Sequence, residues 1–299
     1  MNELIKQLNI HDLPTVESMQ TGIEDDYVIR IFERLSSPPH RLFGLFVDGR
    51  LVSMAGYTIY AKHYAMIGRL RSDTRFKGKG YSTKLTSYVF NKASEEKSIV
   101  WVGANTQEHN IPAQRVLEKN QLDTYTTLHG AVTKDTSMLE TEAKPWNRIT
   151  SLDHKKAWLE ETYIKSGKPF PYECYYPFPG SKYLFHDEDL KQWNFYENED
   201  HTRFVITKTD QKKHHYLHAV YPWKDITSQK GLWETISKDY RNFAAQNEEE
   251  TYIWMDLTRE EAKLLPADHA FELPDPWILY GAKTEAWGKT PAGVIQGSL

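Results

Sequence analysis

The sequence predicts an α/β fold (an α+β mixed sheet covered by helices), repeated loosely in two domains. Three observations carry this. The chain has 299 residues, 39% apolar and 26% charged, which suits a folded chain of about two domains at roughly 100–200 residues each. Strand patterns alternate with helical patterns after an early hairpin. Composition changes near Pro145: residues 1–145 carry 18 basic and 17 acidic side chains, a net +1, and the remainder a net −5, with eight of nine tryptophans.

The elements follow in order. A strand is expected around Leu4–Leu8, and Asp12 before Leu13-Pro14 can cap a short helix. Val28, Ile31, Phe32 and Leu35 fall at spacings of three and four, predicting one helix over Asp25–Leu35. Asp48-Gly49 between Arg41–Val47 and Leu51–Tyr60 marks a two-residue hairpin. A strand Tyr64–Arg71, a helix Ser82–Glu96, a strand Ile99–Asn105, a helix Ile111–Asn120 and a strand Tyr125–Val132 complete the first half. Residues 135–145 are polar, aperiodic and end in proline, as a linker does. The domains are therefore set at 1–134 and 146–299. In the second, strands are expected at Arg148–Leu152, Gln192–Glu197, Arg203–Thr207, Tyr216–Tyr221, Thr251–Asp256 and Trp277–Tyr280. Its helices are expected at Lys155–Lys165, Gly231–Gln246 and Arg259–Leu265.

The overall charge of −4 gives no basic balance for nucleic acid or an anionic membrane. One cysteine, Cys174, excludes an intramolecular disulfide framework and a Cys-rich zinc site. The first residues lack a signal-peptide core and no apolar run reaches membrane length, so a cytoplasmic location without membrane or nucleic-acid partners is the expectation. His214 and His218 share a strand face but lack a further ligand at recognisable spacing, and no metal is expected.

Chemistry concentrates in Leu70-Arg71-Ser72-Asp73-Thr74-Arg75-Phe76-Lys77-Gly78-Lys79-Gly80-Tyr81-Ser82, a loop between a strand and a helix. Gly78 and Gly80 permit a tight turn and close approach of backbone to a ligand. The first helical turn offers N–H groups to an anion, and Arg75, Lys77 and Lys79 add positive charge. An ordinary glycine turn with solvated lysines is the competing reading. The spacing fits neither a Walker A loop nor G-x-G-x-x-G.

Arg75-x-x-Gly78-x-Gly80 resembles the acetyl-CoA motif of the GNAT N-acetyltransferases, Arg/Gln-x-x-Gly-x-Gly/Ala. Asn110-Ile-Pro-Ala113-Gln-Arg-Val-Leu117-Glu118-Lys119 resembles the family's Asn-x-x-Ala-x-x-Leu-Tyr-Glu-Lys segment, and the element order of residues 1 to about 134 follows the family's. The resemblance implies acetyl-CoA as co-substrate and an amine as acceptor. It implies that Leu70 and Ser72 hold the pantetheine arm by backbone, and that Arg75, Phe76, Lys77, Gly78, Lys79, Gly80, Tyr81 and Ser82 wrap the pyrophosphate. It also implies that Asn105 and Asn110 line the other side, and that a backbone N–H near Leu70 or Arg71 meets the oxyanion. Asn110 also reads as a simple helix cap, and Asn105 as a strand-ending residue. The second half reads as a degenerate, noncatalytic GNAT-like domain that shapes the acceptor site: its helix-entry segment Pro222–Gly231 has one glycine and no Arg-x-x-Gly-x-Gly.

The sequence departs from the family where protons move. Leu117 stands where a tyrosine acid is usual, Gln121-Leu122 replaces Gly-Phe, and Arg69 occupies the neighbourhood of a common glutamate base. Glu108, His109 and Tyr125 are the substitute candidates, with Asp25, Asp26, His63 and Tyr57 behind them. The tandem arrangement also resembles larger acetyltransferases with a chain-terminal carboxylate in the active site, which singles out Leu299. A different class of function accommodates these losses: an acyl-CoA-binding sensor or scaffold without turnover. The proline- and aromatic-rich stretch Pro169–Gly180 lines the acceptor pocket or buries itself at the seam between the domains. The acidic second half tilts the acceptor toward a cation. Oligomeric state stays open, a homo-oligomer included.

Overall fold

Alternation of period two and stripes of period 3.6 turn into strands and helices close to the expected places. The computed structural model describes residues 2–287. In chain order they form β1 (Glu3–Gln7), α1 (Leu13–Glu17), α2 (Tyr27–Arg30), α3 (Phe32–Leu35), β2 (His40–Val47), β3 (Arg50–Tyr60), β4 (Tyr64–Ser72), α4 (Tyr81–Glu95), β5 (Trp101–Gln107), α5 (Ile111–Lys119) and β6 (Asp123–Thr133). There follow β7 (Asn147–Ile149), α6 (Leu152–Leu159), β8 (Pro169–Glu173), β9 (Tyr176–Pro179), α7 (Asp187–Gln192), β10 (Asn194–Glu197), β11 (Phe204–Gln211), β12 (His215–Val220), α8 (Leu232–Ala244), β13 (Thr251–Leu257), α9 (Arg259–Ala262), β14 (Trp277–Lys283) and α10 (Thr284–Trp287). Among the described residues no helix is long and apolar enough to cross a membrane.

Two elements differ from expectation. The helix expected over Asp25–Leu35 breaks at Ile31, whose φ of −115° and ψ of 22° leave the helical region. Val28, Phe32 and Leu35 stay buried nonetheless, because two short helices still present one apolar stripe. The segment rich in proline and aromatics is not an open loop but the hairpin β8–β9. Its Phe170, Cys174 and Phe178 are fully buried against rings of the same unit, including Tyr163, Phe185 and Trp193. Rings of the same unit cover Phe170 in this way.

The units are not contiguous in sequence. The first comprises residues 1–106, 110–125 and the C-terminal residues from Leu279; the second comprises 107–109 and 126–278. A division into 1–134 and 146–299 therefore differs from the grouping of contacts at both ends. The physical reason is strand pairing. In the first unit the sheet runs β1-β2-β3-β4-β5-β14, its last strand coming from the far end of the chain. In the second it runs β6-β13-β12-β11-β10-β7, and β6 pairs antiparallel with β13 through Ile253↔Thr133 to Leu257↔His129.

In the first unit β1 to β4 form an antiparallel meander and β4 pairs parallel with β5. One face packs against α1–α3 through Leu8, Val16, Val28, Phe32, Leu42 and Met54. Buried Leu85, Val89 and Phe90 of α4 cover the other. Here Phe43 stacks with Tyr57 at 6.2 Å and meets Tyr88 edge-on at 5.6 Å. Beside β5, the Trp101 indole lies across Gly103 and Gly281, where an added Cβ would stand 2.0 Å from it. Both glycines are there because backbone and indole touch.

The strand β14 thus belongs to the core of the first unit, with Leu279 fully buried and Tyr280 only 3% exposed. A chain ending at Glu142 loses both side chains, roughly 3–6 kcal/mol of apolar burial, and exposes the edge of β5. Thermal unfolding should show the truncated chain without a cooperative transition near that of the full chain, and Gly281→Val should show a smaller drop in Tm. A truncated chain that melts like the full one would contradict this assignment of β14.

Candidate active site

Two devices on β4 open the first unit's sheet. The parallel ladder with β5 runs from Tyr64↔Trp101 to Ile67↔Ala104 and stops, although both strands continue to Ser72 and Gln107. Against β3, Gly68 faces Gly56 and Arg71 faces Met54, so Ala55 stands opposite both Arg69 and Leu70. That is a β-bulge, one extra residue on β4, with Arg69 at φ +58°. Neither Arg69 nor Leu70 has a ladder partner on either side, which leaves their peptide groups beside the opening.

The bulge is anchored from α2. Asp26 caps that helix by accepting from the Val28 N–H at 3.0 Å, and its two oxygens take Arg71 Nε at 2.6 Å and Nη2 at 2.7 Å. Both side chains are largely buried, 8% and 14% exposed. The Arg71 hydrogen bonds hold the Asp26 carboxyl below its usual range against the opposing effect of burial. Asp25 and Asp26 are therefore structural: Asp25 is exposed and pairs with Arg30. Deeper in, Ser53 Oγ donates to the Arg71 carbonyl at 2.9 Å, and Ser72 Oγ lies 2.6 Å from Ser82 Oγ, tying the strand end to the first turn of α4.

Between them lies the glycine loop. Gly78 and Gly80 both take left-handed φ, +82° and +78°, and a Cβ built on either meets no protein atom within 4 Å. Gly80 is the N-cap of the 15-residue α4 and has no side chain to occupy the first-turn N–H groups. Lys77 and Lys79 are exposed, with the Lys79 ammonium over the Phe76 ring at 5.3 Å. Arg75 is engaged elsewhere: its Nε donates to Asp73 at 2.8 Å and its Nη2 to the second oxygen of that carboxylate. Asp73, with a fully buried side chain, also accepts from the Arg75 and Gln20 backbones. Arg75 and Asp73 clasp the loop base, a structural task for an arginine the spacing had aimed at phosphate.

An open strand pair thus leads to a helix start without a side-chain cap. The sequence model of the acetyltransferase (GNAT) family matches residues 7–121. Residues 7–121 are a GNAT acetyltransferase domain. Among solved structures, a GCN5-related N-acetyltransferase from Sphaerobacter thermophilus is similar at 12% identity, with 94% of this chain and 96% of that one covered and a TM-score of 0.56. A Thermoplasma acidophilum structure is similar at 13% identity over 94% and 99%, with a TM-score of 0.50. At such identity they establish a shared fold extending over both units. No curated protein matches the chain significantly.

Within the GNAT domain, Asn110 caps α5 by accepting from the Ala113 N–H at 3.3 Å, with Pro112 in the first turn. Asn105 follows the last ladder pair on β5. Leu117 is buried and offers no proton. Tyr125 is 36% exposed, and burial of the rest raises its phenol above the ordinary value, so it keeps its proton at neutral pH. Glu108 and His109 group with the second unit, where Glu108 pairs with Arg259 and His109 Nδ1 lies 2.8 Å from Asp275. His63 sits in the β3–β4 turn against the Ser98 carbonyl, and Tyr57 donates to Glu96. The sheet does not bring these groups together, and Leu299 lies outside the described residues. The open cleft lined by Tyr57, Tyr88, Lys92 and Glu96 has none of the loop residues in its wall. A residue the sequence did not single out is His40, half-buried with Nδ1 2.7 Å from Thr58 Oγ1. It lies on an edge-to-centre strand pair with no motif around it.

The second unit has the same parallel pair and glycine-capped helix, both closed. Its ladder β12–β13 runs the length of β12, from His215↔Thr251 to Ala219↔Met255, with no parting of strands. Gly231 caps α8 at φ +80°, but a Cβ there would stand 2.4 Å from the Lys144 carbonyl and 2.9 Å from Trp146. The Glu234 carboxylate takes the Ala143 N–H at 3.0 Å and the Thr141 hydroxyl at 2.9 Å, and Thr235 Oγ1 takes the Trp146 N–H. The chain itself fills this helix start. His218 Nε2 lies 2.7 Å from Asp256, and no group of histidine, cysteine or acidic side chains suited to a metal occurs among the described residues.

Asp26→Asn should destabilise the protein by about 3–5 kcal/mol at pH 7, because it leaves the Arg71 charge buried without its partner. Since the native Asp26 pKa lies below its unfolded value, its contribution is in force above about pH 4 and fades as pH falls through the native pKa. Urea unfolding between pH 2 and 7 should therefore show a gap between wild type and variant that narrows on acidification. A gap independent of pH would mean the carboxylate charge is not what anchors the bulge.

Proposed function

We propose that the GNAT domain binds acetyl-CoA and passes the acetyl group to a primary amine by direct attack. One observation carries the reading: a parallel ladder that ends at Ile67–Ala104 opens toward a helix start whose two left-handed glycines face empty space. In this reading Leu70 and Ser72 hold the pantetheine arm by backbone hydrogen bonds. The N–H groups of the loop and of Tyr81 and Ser82 receive the pyrophosphate, where the α4 dipole favours negative charge. Arg75 acts through its clasp on Asp73. The Leu70 N–H, freed by the bulge, meets the oxyanion as the amine attacks; one such donor is worth about 2.7–4 kcal/mol in other enzymes. Tyr125, on β6 and within the first unit, keeps its proton for the departing thiolate, and the proton the amine loses passes to water, from which the phenol is reprotonated.

Buried Leu117 favours a second reading, an acyl-CoA sensor without turnover. A time course of free-thiol release from acetyl-CoA with a panel of primary amines separates the two. Amine-dependent release is expected, whereas tight CoA binding with no release by any amine would favour the sensor.

The cradle itself has an internal control. Gly49, in the β2–β3 turn, has φ +79° and open space around a built Cβ, as Gly80 does. Gly49→Val and Gly80→Val therefore impose the same kind of backbone strain, about 1–2 kcal/mol. Calorimetry should find CoA affinity retained in the first and lost by at least 100-fold in the second. Equal affinities in the two variants would remove the pyrophosphate from this loop.

A further inference from the structure

On the α1–α3 side of the first unit and along β4, arginines are matched to carboxylates one by one: Arg30 to Asp25, Arg71 to Asp26, Arg75 to Asp73. Two are left over. Neither Arg34 nor Arg69 has an ion pair or side-chain hydrogen bond among the described residues. The positive charge of both bears on His40, whose Nδ1 lies 2.7 Å from Thr58 Oγ1. Arg34 arrives from α3, Arg69 from β4 and the imidazole from β2, while the Arg41 guanidinium turns to the His40 carbonyl at 3.0 Å. Glu33, next to Arg34, is exposed.

Arg69 is also the residue that the bulge puts in left-handed conformation, φ +58° in mid-strand, which costs a non-glycine residue about 1–2 kcal/mol. The bulge fixes its place: Arg69 immediately precedes Leu70, whose N–H the reading above gives to the oxyanion. An unmatched guanidinium one residue from Leu70, at the bulge, suits an anion on the incoming amine. A planar fork pairs best with a carboxylate.

We infer that the acceptor is a small amine bearing a carboxylate, received by Arg69. This rests on the acetyl-transfer reading of the same cleft. The arrangement has a built-in reporter. Burial first, then Arg69 and Arg34, depress the His40 pKa to about 4. A carboxylate that offsets either guanidinium favours the imidazolium and moves that pKa upward.

The test uses the full chain with saturating CoA and α- and β-amino acids, each beside its methyl ester. Expected are at least 10-fold higher kcat/KM for the acids, and a rise of the His40 pKa by NMR when an acid, but not its ester, is added. Arg69→Asn, chosen because asparagine tolerates left-handed φ, should abolish the preference and the His40 response, and Arg69→Lys should restore part of both. Calorimetric CoA affinity in each variant reports that the fold is intact. Acids and esters used alike, or a His40 pKa that no amino acid moves while CoA binds, would overturn the inference. Failure of CoA to bind the wild type would instead overturn the acetyl-transfer reading beneath it. If CoA binds without turnover, the His40 response alone decides.

Discussion

Four pairs of residues, Tyr64↔Trp101 to Ile67↔Ala104, are all the parallel ladder that β4 shares with β5. Everything functional in the first unit depends on its stopping there. A ladder continued to Ser72 would satisfy every backbone group and leave no cleft. The bulge ends it by inserting Arg69 and Leu70 opposite a single residue of β3, which turns the rest of β4. The Asp26–Arg71 pair then fixes the turned segment to α2, and the Ser72–Ser82 contact fixes its end to α4. Open strand pair, anchor and glycine-capped helix start form one mechanical unit.

The second unit shows how little separates such a site from its absence. It keeps the parallel pair and a glycine-capped helix, with Gly231 at φ +80° against +78° for Gly80. Its ladder never parts, and the Lys144 carbonyl and Trp146 stand beside Gly231, while Glu234 and Thr235 of the helix accept the Ala143 and Trp146 N–H groups. Backbone N–H groups at a helix start must be satisfied by something. Around the glycine cap of one helix the chain fills the space, with Lys144 and Trp146; around the other, a built Cβ meets no protein atom within 4 Å.

Strand exchange explains why the boundary misleads. A polar, proline-ended stretch is a reasonable linker by composition, yet composition says nothing of pairing partners. The edge of β5 is covered by residues from Leu279 onward, and β6 serves β13. Both are long-range pairings, with registers set by where Trp101 meets Gly281 and where Thr133 meets Ile253.

By itself the sequence determined the local elements and the loop. Period-two and period-3.6 patterns placed most strands and helices, because burial of one face follows from spacing alone. Two glycines between a strand and a helix marked the cradle, because only glycine accepts left-handed φ there without strain. The Asn110 cap was legible for the same local reason. Tertiary structure decided what spacing cannot carry. It turned Arg75 onto Asp73 and made Asp26 an anchor. It moved Glu108 and His109 into pairs with Arg259 and Asp275, and left Arg34 and Arg69 unmatched around His40. Apart from the Arg75–Asp73 clasp, a matter of two neighbours in one loop, these depend on which charges meet across elements distant in sequence, and ladder register and burial fix such meetings.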